Sequence, residues 1–382
     1  MHARLTALAV AACTGVASAA PEPGAAGVVL SGYAETFYQW NANDPSNGIT
    51  NFRGFDNRHD TFTLANTVLD VVGTNEGVTA HVAFQVGHTP ETYYLAEPAS
   101  AGSGAAGSTG AGAWKLLQQA NVSYRAAAGN GLLIEGGLFL SPIGPEGMAV
   151  KDQWNWSRSN LFFGLPFYHT GARVSYGLTD RITASLMACN GWNSVVDNNA
   201  SKSLAAQATY AVADRLTWNV VYFGGVERGP GAAEGEPWRH LLDSYVVWHP
   251  NPSLSLLVHG DVGFEETQFG RSDWAAGALY ARVRATPRLY LAGRADLFHE
   301  GVAEDAQGRA GAIFWPASQV ASQTLTCDLR PQDNVSVRLE YRHDAADDPM
   351  FFDGAVPTDA GGAFVPDAES QDTLTLGMTT WF

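Results

Sequence analysis

Four arginines stand at intervals that could place positive charge inside one structure: Arg173, Arg282, Arg294 and Arg338. Each interrupts a run in which apolar residues take every second position, so each falls on the face opposite the apolar one. Arg342, Asp296 and Glu340 share that phase. Such side chains could bias the passage of ions or brace a wall as arginine–carboxylate pairs. Hydrolytic chemistry has weaker support. His259 and Asp261 share a strand face with Ser255, but one face of one strand does not orient a triad, and the ten histidines are scattered. The glycine-rich run from Gly224 to Gly231 follows no β–α pattern and is no phosphate cradle. Loop carboxylates such as Asp347, Asp348 and Asp359 lack calcium-loop spacing, and no Cys/His spacing suits a metal. No catalytic residue, metal or cofactor is therefore expected, and the chain is not read as an enzyme.

The elements that must carry these arginines alternate with a period of two. Val78, Ala80, Val82, Phe84 and Val86 are interleaved with Thr79, His81, Ala83, Gln85 and Gly87. Val335, Val337, Leu339 and Tyr341 alternate with Ser336, Arg338, Glu340 and Arg342. A wall with oil on one side and water on the other explains a pattern that persists along the chain. That is a transmembrane antiparallel up-and-down β-barrel, all-β. An arginine facing lipid at the midplane would cost about 2–4 kcal/mol, so the arginines should face the lumen.

Turn chemistry counts the strands. Short connections are predicted at 73–76, 127–130, 177–180, 213–214, 249–252, 285–288 and 330–333, each with Gly, Pro, Asn or Asp. Longer ones are predicted at 41–57, 88–113, 141–165, 191–201, 228–238, 265–272, 300–313 and 345–368. Their alternation gives about sixteen strands, with short periplasmic turns, long extracellular loops and both termini periplasmic. The Ala/Gly/Ser-rich stretch 99–113 reads as a surface excursion, because the strand pattern resumes at Leu116.

Residues 1–20 read as a signal peptide. His2 and Arg4 precede the apolar Leu5–Ala12, and Ala17-Ser18-Ala19-Ala20 offers a cleavage site. A lipoprotein box at Val10-Ala11-Ala12-Cys13 competes, but Cys13 leaves too short an apolar region. Residues 21–28 then form a short periplasmic segment and 29–382 the barrel. Loss of Arg4, with no acid in 1–20, moves the net charge from −16 to −17. That sign, with Lys115, Lys151 and Lys202 the only lysines, argues against nucleic acid. Cys189 and Cys327 are expected at opposite ends of different strands, too far apart for a disulfide.

Several stretches resemble the OmpL-like β-barrel porins of bacterial outer membranes. They are Gly137-Leu138-Phe139-Leu140-Ser141-Pro142-Ile143-Gly144-Pro145-Glu146, Pro166-Phe167-Tyr168-His169-Thr170-Gly171-Ala172-Arg173, and Asn190-Gly191-Trp192-Asn193 with Asp197-Asn198-Asn199 and Lys202. The opening Tyr33-Ala34-Glu35-Thr36-Phe37-Tyr38 and the terminal Trp381-Phe382 fit too, whereas the 99–113 insert departs from the family. The resemblance implies a Gram-negative outer-membrane porin, a pore for passive diffusion of small hydrophilic solutes. A substrate-specific uptake channel and a non-conducting adhesion or structural barrel are the alternatives. Leu374, Leu376 and Met378 alternate towards Trp381 and Phe382, like the signal that barrel-assembly machinery reads, though Thr380 stands where a second aromatic is usual. Outer-membrane lipids and lipopolysaccharide would surround the barrel. Porin-like barrels often trimerise, so a homotrimer is one expected assembly, although no stretch marks its interface. The loop 141–165 carries Trp154, Trp156, Arg158, Phe162 and Phe163, too many large side chains for a solvated excursion. It either packs over a neighbouring barrel or folds into the pore, where Glu146 and Asp152 would face the wall arginines.

Overall fold

Alternating β-branched, aromatic and small residues leave each segment little choice but an extended strand, and turn residues at one end return the chain antiparallel. The computed structural model describes residues 26–97, 114–197, 199–308 and 311–382. The signal-peptide reading of 1–20 and the Ala/Gly/Ser stretch 99–113 lie outside the described residues.

Sixteen strands form one closed antiparallel barrel. In chain order they are β1 (Gly27–Asn41), β2 (Thr61–Asn75), β3 (Val78–Val86), β4 (Leu117–Ala126), β5 (Leu132–Leu140), β6 (Tyr168–Gly177), β7 (Ile182–Cys189) and β8 (Ser203–Val212). They continue as β9 (Leu216–Val226), β10 (Trp238–Asn251), β11 (Leu254–Thr267), β12 (Gly270–Thr286), β13 (Leu289–Gly301), β14 (Gln319–Gln332), β15 (Val335–Ala346) and β16 (Ser370–Trp381). β16 closes on β1, with Met378 opposite Thr36 and Leu374 opposite Trp40. Closure pairs every edge, which is what the hydrocarbon phase demands of a spanning sheet. No helix among the described residues is long and apolar enough to cross a membrane.

All seven predicted short connections join strands at one end. One long connection does not exist: β11 and β12 run on to a two-residue turn at Gln268-Phe269, with Thr267 paired to Gly270. The polar residues of 265–272 misled the reading, because Glu265 and Ser272 point inward and are buried. β1 also takes in Gly27 and Val28, assigned above to the N-terminal segment. The wall is uneven, from 8 residues in β7 to 17 in β12. Its low side lies around β5–β7, where the loop 141–167 departs.

The outward face is apolar: Leu186 is 67%, Leu325 66% and Leu279 61% exposed. Trp40, Phe62 and Trp238 ring it near the long-loop end, and Tyr124, Trp218 and Trp248 near the other. This belt and its girdles match a bilayer-spanning barrel. Cys327 faces outward, Cys189 inward, and both are free thiols.

The inward face differs from the expectation of a uniformly wet lining. Over β9–β13 it carries a set of apolar residues, Val221, Phe223, Leu241, Tyr245, Val247, Leu257 and Phe298, all buried. They pack against loops that fold into the long-loop half. Trp192, Phe314, Trp315, Met350 and Phe351 come from three separate connections into this interior core or against it. A second aromatic cluster joins Phe55, Tyr93, Tyr94, Phe162, Phe167 and Tyr168. Glu97 ties two of the connections together, accepting from the Tyr168 hydroxyl at 2.6 Å and from the Val195 amide at 2.9 Å. Burial pushes the Glu97 carboxyl up from its ordinary range, against the pull of those donors.

Candidate functional site: an inward loop and an open polar strip

The loop between β5 and β6 folds into the barrel. Its root closes where Leu140 pairs with Tyr168 and the Ser141 amide donates to the Phe167 carbonyl at 2.9 Å. Pro142 ends the strand, having no amide to give the ladder. Gly144, at φ 79°, turns the chain inward, and its amide donates to Asp243 Oδ1 on β10 at 3.2 Å. The Val150 amide next donates to Glu35 Oε1 on β1 at 2.6 Å. The loop thus reaches across to the tall wall.

There the wall charges hold its backbone. The amides of Trp156 and Ser157 donate to the two oxygens of Glu340, at 2.5 and 2.9 Å. Asp296 Oδ1 accepts from the Asn160 amide at 3.0 Å. Arg294 donates to the Ser157 carbonyl at 2.6 Å and the Arg158 carbonyl at 3.1 Å, and pairs with Glu146 at 3.1 Å and Asp296 at 3.1 Å. Arg338 Nη1 donates to the Asn155 carbonyl at 2.9 Å; Arg342 donates to the Arg158 carbonyl and to Asn160 Oδ1. Loops buried inside a protein must find partners for their backbone polar groups, and here the wall supplies them.

Apolar contacts complete the seat. Leu161, on the one-turn helix α1 (Asn160–Phe163), is fully buried among Tyr245, Val247, Leu257 and Tyr280. Burying one such side chain stabilises by about 1.5–3 kcal/mol. The Trp156 ring lies where a Cβ on Gly377 would come within 2.3 Å, so β16 admits the indole only because it carries glycine there.

The predicted site residues therefore separate into two groups. All of Arg173, Arg282, Arg294, Asp296, Arg338, Glu340 and Arg342 stand on the inward phase. Arg294, Asp296, Arg338, Glu340 and Arg342 are at most 5% exposed, covered by the loop rather than by water. Arg173 and Arg282 remain partly exposed: Arg173 pairs with Glu135, and Arg282 with Asp328 at 3.6 Å while lying over the Tyr290 ring. Of the loop candidates, Glu146 is buried on Arg294. Arg158 is buried too, its guanidinium on the carbonyls of Gly147, Met148 and Trp156. Asp152 is partly exposed beside Lys151 at 2.7 Å.

What stays open is the opposite wall. From β2 to β8 the inward face keeps half-buried polar groups: Asp70 with His81 at 2.9 Å, Ser123, Glu135 with Arg173, Ser175 hydrogen-bonded to Ser185 at 2.8 Å, and Gln207. Beside this strip a cavity between wall and loop is lined by Tyr33, Asp70, His81, Gln118, Met148 and Phe167. Sequence reasoning missed Glu35, Asp243 and the Asp70–His81 pair. Glu35 and Asp70 were legible as polar positions in the inward phase, but Asp243 stands between buried apolar residues and gave no such signal.

Ser255 does not join His259 and Asp261, in keeping with the expectation that one strand face orients no triad. Ser255 Oγ contacts His249 Nδ1 at 2.7 Å near the short-turn end, whereas His259 Nε2 pairs with Asp243 at 2.6 Å. At the chain's end, Leu374, Leu376, Met378 and Phe382 are exposed outward, and the half-buried Trp381 packs inward beside Tyr33 and Val68.

Known structures share this architecture. The outer membrane channel DcaP of Acinetobacter baumannii aligns over 94% of this chain and 97% of its own at TM-score 0.57, with 13% identity. An anion-selective porin from Comamonas acidovorans aligns over 94% and 100% at TM-score 0.58, with 12% identity. The trimer form of OmpT from Vibrio cholerae aligns over 94% and 100% at TM-score 0.58, with 9% identity. At such identities the likeness is one of fold. No curated protein matches the sequence. The family described as "Putative beta-barrel porin-2, OmpL-like" matches over residues 27–382, the entire barrel, and the chain belongs to that family of outer-membrane porins.

Proposed function

We propose that the protein lets small hydrophilic solutes diffuse passively along the polar strip of β2–β8, past the inward loop. The partly exposed row of Asp70, His81, Glu135, Arg173, Ser175, Ser185 and Gln207 carries this reading, since a wall sealed against solute would have no use for it. The groups that face water there include both signs, each with a partner, so selectivity between ions would be weak. Arg173 and Arg282, with Asp152 on the loop, would set what bias exists. Arg294, Asp296, Arg338, Glu340 and Arg342 would shape the lumen by holding the loop. Channel function, rather than catalysis, follows the family and fold.

Purified protein in planar bilayers tests the reading. Stepwise conductance is expected, with little reversal potential under a salt gradient. Saturation by one solute class would turn the reading to a substrate-specific uptake channel, and absence of steps to an adhesion or structural barrel.

In the same proposal the long loops face outward, both termini are periplasmic, and lipid and lipopolysaccharide contact the apolar belt. Leu374, Leu376, Met378, Trp381 and Phe382 would present the barrel to the assembly machinery. A homotrimer is proposed because the OmpT neighbour has a trimer form. Cysteines placed at Asn75 and Asn251, both exposed at the short-turn end, should resist impermeant thiol reagents applied to intact cells. Labelling from outside would reverse the orientation.

A further inference from the structure

Three titratable side chains inside the barrel serve neither the polar strip nor a salt bridge with an arginine or lysine among the described residues. Asp243 on β10 and His259 and Asp261 on β11 point inward and are 0%, 2% and 2% exposed. Asp243 lies directly opposite Asp261 in the ladder, and His259 is two residues before it, on the same face. One ligand-capable atom from each lies within 4.8 Å of the others. His259 Nε2 and Asp243 Oδ2 are 2.6 Å apart, and Asp261 Oδ1 accepts from the Trp274 indole at 2.9 Å. His259 Nδ1 and Asp261 Oδ2, both fully buried, have no hydrogen-bond partner among the described residues.

Two carboxylates and one imidazole make a buried group whose charge the imidazole alone cannot balance. Uncompensated buried charge is costly, and proteins resolve it by pairing or by binding a cation. We propose that Asp243, His259 and Asp261 form a site for a divalent transition-metal ion of the zinc class. The donor set is that of zinc, nitrogen from imidazole and oxygen from carboxylates, with three protein ligands and a position left over. Bonds of about 2 Å at tetrahedral angles set ligand atoms about 3.3 Å apart, so the His259–Asp243 pair would open from 2.6 Å to admit the ion between them, within the span of the observed cluster. Trp274 orients Asp261 from outside the ligand set, as outer-shell donors do around metal ligands. The ion would sit at the root of the inward loop, since Asp243 also receives the Gly144 amide. It would therefore fasten that loop to β10 and β11.

The test folds the untagged full chain in detergent with zinc or with a chelator, removes free metal and measures bound zinc by elemental analysis. Cobalt in place of zinc gives a second readout through its visible spectrum. About one ion per chain is expected in the wild type. Asp261→Asn and His259→Gln should abolish retention, and Trp274→Phe should weaken it by about 10–100-fold. Heat-modifiable gel mobility shows that each variant has folded, and where a ligand variant fails to fold, Trp274→Phe decides. Folded wild type that retains no zinc overturns the proposal and leaves the cluster a protonated hydrogen-bond network. Equal retention in folded variants and wild type overturns it as well, placing the metal elsewhere.

Discussion

Replacing Arg294 by alanine should release the inward loop, raise single-channel conductance and destabilise the barrel. The guanidinium is fully buried and bonds the carbonyls of Ser157 and Arg158, the hydroxyls of Ser157 and Thr324, and the carboxylates of Glu146 and Asp296. Its loss leaves two carboxylates in the interior without their cation, a defect worth about 3–5 kcal/mol. The loop can relieve part of that by moving off the wall and letting water reach Glu146 and Asp296. Wider passage is the consequence. Urea unfolding followed by tryptophan fluorescence, with bilayer recording of the same preparation, checks both halves. Wild-type conductance and wild-type stability together would show that the loop is held by its apolar seat instead. Arg173→Ala provides the contrast. That residue is part-exposed, pairs with Glu135 and lies over the Phe139 ring, so about 0–1 kcal/mol should be lost. Removing a cation that touches water should instead move the reversal potential towards cations.

Leu279→Arg is the second large effect, and it acts on the other face. Leu279 stands near the middle of β12, opposite Val258 and Ala295, and is 61% exposed on the apolar belt. An arginine near the bilayer midplane costs about 2–4 kcal/mol on a barrel's lipid face. The same substitution at Gln207, half-buried on the inward strip of β8, meets water and should cost far less. Refolding into lipid vesicles across a urea series measures the difference. Equal losses at the two positions would mean that the belt does not contact hydrocarbon.

Local chemistry decided much of this protein before any tertiary contact. Alternation of apolar residues in Val78–Val86 and Val335–Tyr341 defines strands because side chains on a strand have a period of two. Gly, Pro, Asn and Asp at the seven short connections set where those strands turn. An arginine placed among lipid-facing residues is too costly to tolerate, so the inward phase of Arg173, Arg282, Arg294 and Arg338 was also legible.

What those inward side chains touch was not. Phase distinguishes the two faces of a wall but does not say whether water or another part of the chain covers the inner one. Over β9–β13 buried apolar residues such as Phe223, Leu241 and Leu257 share the inward face with buried charges such as Asp243 and Arg294, so polarity there is no guide to solvent. Glu340 and Arg294 have the pattern of pore-lining charge and act instead as partners for backbone amides and carbonyls of a loop more than 130 residues away in sequence. Asp243 and Asp261 come together only because β10 and β11 pair in one register, and the Gly144 amide reaches them only because the loop turns inward. Such contacts depend on where distant segments meet, and closure of the barrel brings them into reach.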